Sequence, residues 1–113
     1  MKPTIEHRPW GSFTTFTKNE TSTVKILNIK KGEELSLQYH NNREEFWKVL
    51  DGTPMVTIGD EVKSLKEGEE VTVKSNTKHR ISAPNDDVRM LEISTGNFDE
   101  EDIVRVEDKY NRI

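Results

Sequence analysis

Turn-forming residues interrupt this chain so often that no long element fits between them. Glycines and their polar neighbours fall at Gly11, Lys31-Gly32, Asp51-Gly52, Gly59-Asp60, Glu67-Gly68 and Thr95-Gly96. Glycine reaches backbone angles that other residues avoid, so each site is a natural place for the chain to reverse. The segments between them favour β structure and show no long run of apolar residues at helical spacing. They read as strands over 12–17, 23–29, 35–40, 45–50, 55–58, 61–65, 70–73, 79–83, 88–94 and 103–106. Ile58-Gly59-Asp60-Glu61 reads as a tight hairpin turn. The one helical candidate is a short turn over 99–103, where acidic residues suit a helix N-terminus. Many short strands with regular turns make an all-β sandwich or barrel.

A chain of 113 residues is the usual size of one domain. With 31% hydrophobic and 34% charged residues the core must be lean. The apolar residues gather in short runs with strand spacing, which argues for a folded domain over a disordered chain. The net charge is -4 and no basic stripe stands out, so no nucleic-acid partner is expected. No apolar run approaches the ~20 residues of a membrane span, so no membrane partner is expected. Residues 1–10 lack the apolar stretch of a signal peptide, which makes the cytoplasm the expected location. There are no cysteines, and hence no disulfides or thiolate metal sites. Asn19-Glu20-Thr21 fits a glycosylation sequon but reads as a loop.

The three histidines are His7, His40 and His79. His7 lies in a polar stretch and receives no role. Gln38 and His40 alternate on one expected strand, so their side chains share a face. Glu45 begins the next strand, and His79 opens a later one. Imidazole nitrogen and carboxylate oxygen suit one divalent transition metal, whether zinc, nickel, manganese, iron or cobalt. An isolated strand histidine is more often core or surface than ligand, so the spacing has to carry the argument. Strand parity supplies a check. With Gln38 and His40 inward, Ser36 is inward too, while Leu35, Leu37 and Tyr39 face out. Glu45, Trp47 and Val49 then face in, and Phe46 and Leu50 face out. The inward set is polar at one end and apolar deeper down, as a ligand-holding barrel requires.

The spacing Gly32, five residues, Gln38, one residue, His40, four residues, Glu45, six residues, Gly52 resembles the first motif of the cupin superfamily. Gly68 follows after fifteen residues and His79 after ten more, which resembles the second motif. The family usually has histidine at the place of Gln38, proline and glycine at Lys74 and Asn76, and asparagine at Ala83. The resemblance implies a double-stranded β-helix, also called a jelly-roll barrel, in a single domain over 1–113. The N-terminal segment 1–30 would complete the barrel or a dimer interface. It also implies a metal held by Gln38, His40, Glu45 and His79. The outward apolar set needs cover, and a homodimer is expected.

A narrower resemblance covers nearly the whole chain. Arg8-Pro9-Trp10-Gly11, the run from Leu35 to His40, and Arg43, Glu45, Trp47 and Gly52-Thr53 are similar to the C-terminal cupin domain of type II mannose-6-phosphate isomerases. Ser94-Thr95-Gly96 and the run from Glu101 to Asp108 continue the match. In bacteria that domain is often fused to a mannose-1-phosphate guanylyltransferase, and guanylyl transfer is not expected of these residues. The activity implied is metal-dependent isomerisation of sugar phosphates, with mannose 6-phosphate as substrate. The alternative is a binding module for a sugar phosphate or sugar nucleotide without turnover. Asn41, Asn42 and Phe46 replace histidines of the family, and asparagine cannot shuttle a proton near neutral pH. Oxygenation, a third cupin chemistry, is less natural with a neutral glutamine in the ligand set.

The isomerisation needs a Lewis acid, a base near the carbon acid and a cationic clamp for phosphate. Arg43 sits between His40 and Glu45 at the expected barrel mouth, and its planar fork suits a phosphate. Lys25 and Arg105 are further candidates, although most lysines and arginines are surface charges. Lys25, Glu92 and a metal-bound hydroxide stay open as the base. Trp47 is expected to line the pocket wall, where a sugar ring can stack. Arg80 should point away from the barrel by parity.

Overall fold

A computed structural model describes residues 2–113. Its strands are β1 (Thr4–Arg8), β2 (Gly11–Thr15), β3 (Ser22–Ile29), β4 (Leu37–Tyr39), β5 (Arg43–Asp51), β6 (Met55–Ile58), β7 (Glu61–Ser64), β8 (Glu70–Val73), β9 (His79–Ser82), β10 (Val88–Gly96) and β11 (Val104–Glu107). Every strand expected from the sequence forms, those over 55–58 and 70–73 with the expected ends and the others with ends shifted by one or two residues. One was missed. β1 pairs with β2 across a turn at Pro9-Trp10, with Arg8 opposite Gly11. Every residue of β1 is exposed, so no alternation of buried and exposed positions marks it in the sequence. The 99–103 segment makes turns rather than a helix, with Asp102 N–H on the Asp99 carbonyl and Ile103 N–H on the Glu101 carbonyl.

Two larger sheets face each other as a double-stranded β-helix. One has the order β3-β10-β5-β8 and the other β11-β4-β9-β6-β7. The register explains which side chains meet. Lys25, Glu92, Trp47 and Val71 form one row across the first sheet. Thr23, Ser94, Glu45 and Val73 form the next. Across the second sheet, Arg105 lies opposite Gln38, Gln38 opposite His79, and His79 opposite Ile58. Side chains paired this way share a face, so both sheets turn polar groups into the same end of the barrel. Below them the core is apolar: Ile29, Val49, Val56, Ile81, Val88 and Met90 are buried in one cluster. Burying such aliphatic side chains stabilises the fold by roughly 1.5–3 kcal/mol each.

The outer faces show how a lean core is extended. Phe46 points away from the barrel yet is buried, because Phe16 packs on it at 5.6 Å between ring centres. Leu35 departs from the parity expected of it and packs against the core. The ladder lapses at Leu35 and Ser36, so strict alternation does not hold there. Ile5, Trp10, Val24 and Ile26 stay exposed. Gly96 ends β10 with φ +105, and a Cβ there would stand 2.7 Å from the Asn42 carbonyl oxygen. A glycine therefore lets β10 close on the turn that follows His40.

Candidate metal centre

His40 follows the last residue of β4, Glu45 lies two residues into β5, and His79 opens β9. The two sheets bring them together: one ligand atom from each lies within 4.8 Å of the others. All three are buried, at 2%, 3% and 1% exposure. His40 Nε2 is 3.5 Å from Glu45 Oε2, and His79 Nε2 is 3.4 Å from Glu45 Oε1.

The far nitrogen of each ring fixes its tautomer. His40 Nδ1 lies 2.6 Å from the Asp102 carbonyl oxygen, and His79 Nδ1 lies 2.8 Å from that of Thr77. A carbonyl only accepts, so both Nδ1 atoms carry the proton and both Nε2 atoms turn a lone pair into the centre. That is how ligand imidazoles are usually held. Burial pushes both histidines below the ordinary imidazole range; the Asp102 carbonyl opposes this at His40, and Glu45 opposes it at His79. Neutral rings are the form a metal needs. His79 Nε2 has no hydrogen-bond partner, although Glu45 is close. A carboxylate flanked by two unprotonated imidazole nitrogens, that of His79 orphaned and that of His40 accepting from Arg43 Nη2, fits a divalent cation such as zinc if the cation displaces the arginine from His40.

The other expected residues are near, with differences. Gln38 accepts from Ser36 Oγ at 2.6 Å through Oε1, and its Nε2 lies 3.4 Å from His40 Nε2. To serve as a ligand the amide must turn over and present its oxygen. Arg43 was expected in a loop at the mouth. It is instead the first residue of β5 and is 8% exposed. Its Nη2 donates to His40 Nε2 at 3.1 Å, its Nε to Glu45 Oε2 at 3.3 Å, and its Nη1 to the Asp99 carbonyl at 3.2 Å. Trp47 has no exposed face on which a sugar can stack. It packs edge-on to His79 and donates through Nε1 to Glu45 Oε1 at 3.2 Å, so it positions both residues. Lys25 reaches the mouth, where its Nζ is 3.3 Å from Glu100 Oε1. Arg105 lies beside Gln38 in register, and its Nε is buried without a partner. Arg80 points away from the centre and donates to the Leu35 carbonyl.

Three residues near the centre received no site role from the sequence, although Ser94 and Asp102 lie in stretches that match the family. Phe98 lies between two cations, with Lys25 Nζ and Arg43 Cζ each 4.4 Å from its ring centre. Asp102 holds the turn after His40, accepting from Asn41 N–H and Asn42 N–H at 2.9 Å each. Those two donors hold its carboxyl below the usual carboxylate range. The third, Ser94, sits beside Glu45 with its hydroxyl buried and unpartnered. Parity from Glu92 would have found Ser94; nothing local marks Phe98 or Asp102.

Comparison with known proteins places the domain in a family. Residues 2–108 match the family model described as mannose-6-phosphate isomerase C-terminal. The chain belongs to that family. It is 38% identical over 109 residues to mannose-1-phosphate guanylyltransferase ManC of Salmonella typhimurium, covering 95% of this chain and 23% of that protein. It is also 38% identical over 108 residues to xanthan biosynthesis protein XanB of Xanthomonas campestris pv. campestris, covering 94% of this chain and 23% of the relative. The chain thus spans under a quarter of the curated relatives it matches. A Klebsiella pneumoniae protein with a double-stranded β-helix domain superposes with a TM-score of 0.68 at 19% identity, covering 82% of this chain and 81% of that one. That likeness supports the cupin fold of this isomerase-family domain. Among the described residues no helix is long and apolar enough to cross a membrane.

Glu92 is the other unusual group of this family member. It is 7% exposed, and burial, reinforced by the charge of Glu45, pushes its carboxyl up to about 7. A raised carboxyl pKa means the native state binds the proton more tightly than the unfolded chain. Stability should therefore fall as pH rises from about 4.5 to about 7, by on the order of 3 kcal/mol, then level off. The buried histidines act in the opposite sense, removing stability as pH falls below about 6.5. Comparing Glu92→Gln with the parent isolates the carboxyl. In urea melts with a chelator present, the variant should match the parent near pH 5 and exceed it near pH 8. Equal stabilities at both pH values would show that Glu92 is not held protonated.

Proposed function

We propose that this domain holds a divalent cation at His40, Glu45 and His79, with Gln38 joining by rotation of its amide. It would bind a sugar phosphate there and interconvert mannose 6-phosphate and fructose 6-phosphate. The observation that carries the reading is the pair of tautomer-locked histidines turning unprotonated Nε2 atoms onto one buried carboxylate, inside a domain of the isomerase family. A bound divalent cation would supply Lewis acidity at the substrate's oxygens.

The chain's own groups account for the rest. Arg43 and Lys25 bracket Phe98 and would clamp the phosphate, with Arg43 Nη2 turning from His40 to a phosphate oxygen when a cation takes that ring nitrogen. Arg105 would spend its free Nε on a phosphate or hydroxyl oxygen. Glu92 would take the proton from C2, beside the C1 carbonyl, and return it to C1, while the proton of the C2 hydroxyl passes to the C1 oxygen, so that the carbonyl ends on C2. A carboxyl near pKa 7 serves in both directions at neutral pH. Lys25, opposite Glu92 in register, would favour the carboxylate form in which it acts as base. Trp47 would keep Glu45 in place.

A second reading is a binding module without turnover. It is favoured by Asn41 and Asn42, which are exposed and offer no acid–base group beside the centre. A coupled assay of mannose 6-phosphate conversion, with zinc, nickel, manganese, cobalt and ferrous iron each added, separates the two. Turnover is the expected result, with a loss of at least about 100-fold in Arg43→Ala, as for removal of one preorganised charge donor. Saturable binding with no turnover would support the module. Absence of binding with every metal would overturn both.

A further inference from the structure

Among the described residues, the buried side-chain nitrogens and oxygens without a hydrogen-bond partner are His79 Nε2, Ser94 Oγ and Arg105 Nε. They come from β9, β10 and β11, on both large sheets, yet all surround one place. His79 and Arg105 each lie opposite Gln38 in register, and Ser94 lies opposite Glu45. A buried polar group without a partner costs free energy, and alanine would fill the position of Ser94 without that cost. His79 Nε2 is accounted for by the proposed cation and Arg105 Nε by an anionic oxygen of the substrate. Ser94 has no such assignment.

We propose that Ser94 is a substrate contact, whose hydroxyl hydrogen-bonds an oxygen of the sugar phosphate bound at the centre. This rests on the sugar-phosphate reading above and adds the residue that reads the sugar from the β10 side. The register sets the direction: Ser94 shares a row with Glu45 and Thr23, and Glu45 points into the centre, so Ser94 Oγ points there too. At 2% exposure the hydroxyl is screened from bulk water, and an oxygen of a molecule bound at the centre would satisfy it. A serine hydroxyl both donates and accepts, which matches a sugar hydroxyl or carbonyl oxygen.

Ser94→Ala is compared with the parent by three measurements on the full chain. Without ligand, the melting temperature of the variant should equal or exceed that of the parent, because no internal hydrogen bond is lost. Zinc affinity by titration calorimetry should be unchanged. With zinc present, the dissociation constant for mannose 6-phosphate should rise about 10-fold, as expected for one lost hydrogen bond. A fall in melting temperature would show an internal partner and overturn the proposal. Unchanged sugar-phosphate affinity in Ser94→Ala, with the parent binding normally, would overturn the Ser94 contact alone. Failure of the parent to bind would overturn the sugar-phosphate reading and the contact with it.

Discussion

Glu45→Gln should weaken zinc or nickel binding by at least about 100-fold, the upper end of what is lost when only an outer partner of a ligand is removed. Glu45 is the sole anion of the ligand set, between two imidazoles that burial keeps neutral. Its carboxylate also balances the Arg43 guanidinium 3.3 Å away. With glutamine in its place, a divalent cation would meet two neutral rings and an uncompensated arginine. The amide keeps the volume and can still accept from Trp47 Nε1, so the barrel should stay folded. Competition against a coloured chelator measures the affinity, and circular dichroism checks the fold. Affinity close to that of the parent would remove Glu45 from the centre.

The largest loss of stability should come from Trp47→Ala, about 3–5 kcal/mol as for large aromatic truncations in cores. That is a large share of the roughly 5–15 kcal/mol that holds an ordinary domain together. Trp47 is fully buried in the same cluster as Val49, Val73 and Met90. Truncation would open a cavity against His79 and strip Glu45 Oε1 of its indole donor. Trp47→Phe retains most of the packing and loses the donor, so it should destabilise less while still loosening the cation site. Urea unfolding by far-ultraviolet circular dichroism gives both values. A cost below about 1 kcal/mol for Trp47→Ala would mean that the indole is not an anchor of this core.

Much of the barrel was legible along the chain because its cues are local. Gly52, Gly59 and Gly68 mark reversals, and the segments 35–40 and 45–50 alternate enough to show which residues share a face. The alternation placed Ser36, Gln38, His40, Glu45 and Trp47 correctly inside. It failed at Leu35, where the ladder lapses, and it had no signal over Thr4–Arg8, where no residue is buried. The centre was legible to the extent that its spacing is family-specific: His40, Glu45 and His79 meet as expected. The expectation for Trp47 as an open sugar platform did not account for how completely the core closes over it.

The resemblance to the family set two histidines and a glutamate inward, and the sequence by itself determined that the chain makes short strands and which residues share a face. Those properties follow from turn chemistry and the two-residue period of a strand, both of which act over a few neighbours. Only the tertiary structure decided the protonation and pairing of the site. His40 is locked by Asp102, 62 residues away, and Arg43 is held by Asp99, 56 residues away. Glu92 has its pKa raised by burial and by a glutamate on another strand, and Ser94 loses its water to the same closure. Desolvation and charge act through space, and no local pattern along the chain records which distant groups will share one enclosed volume.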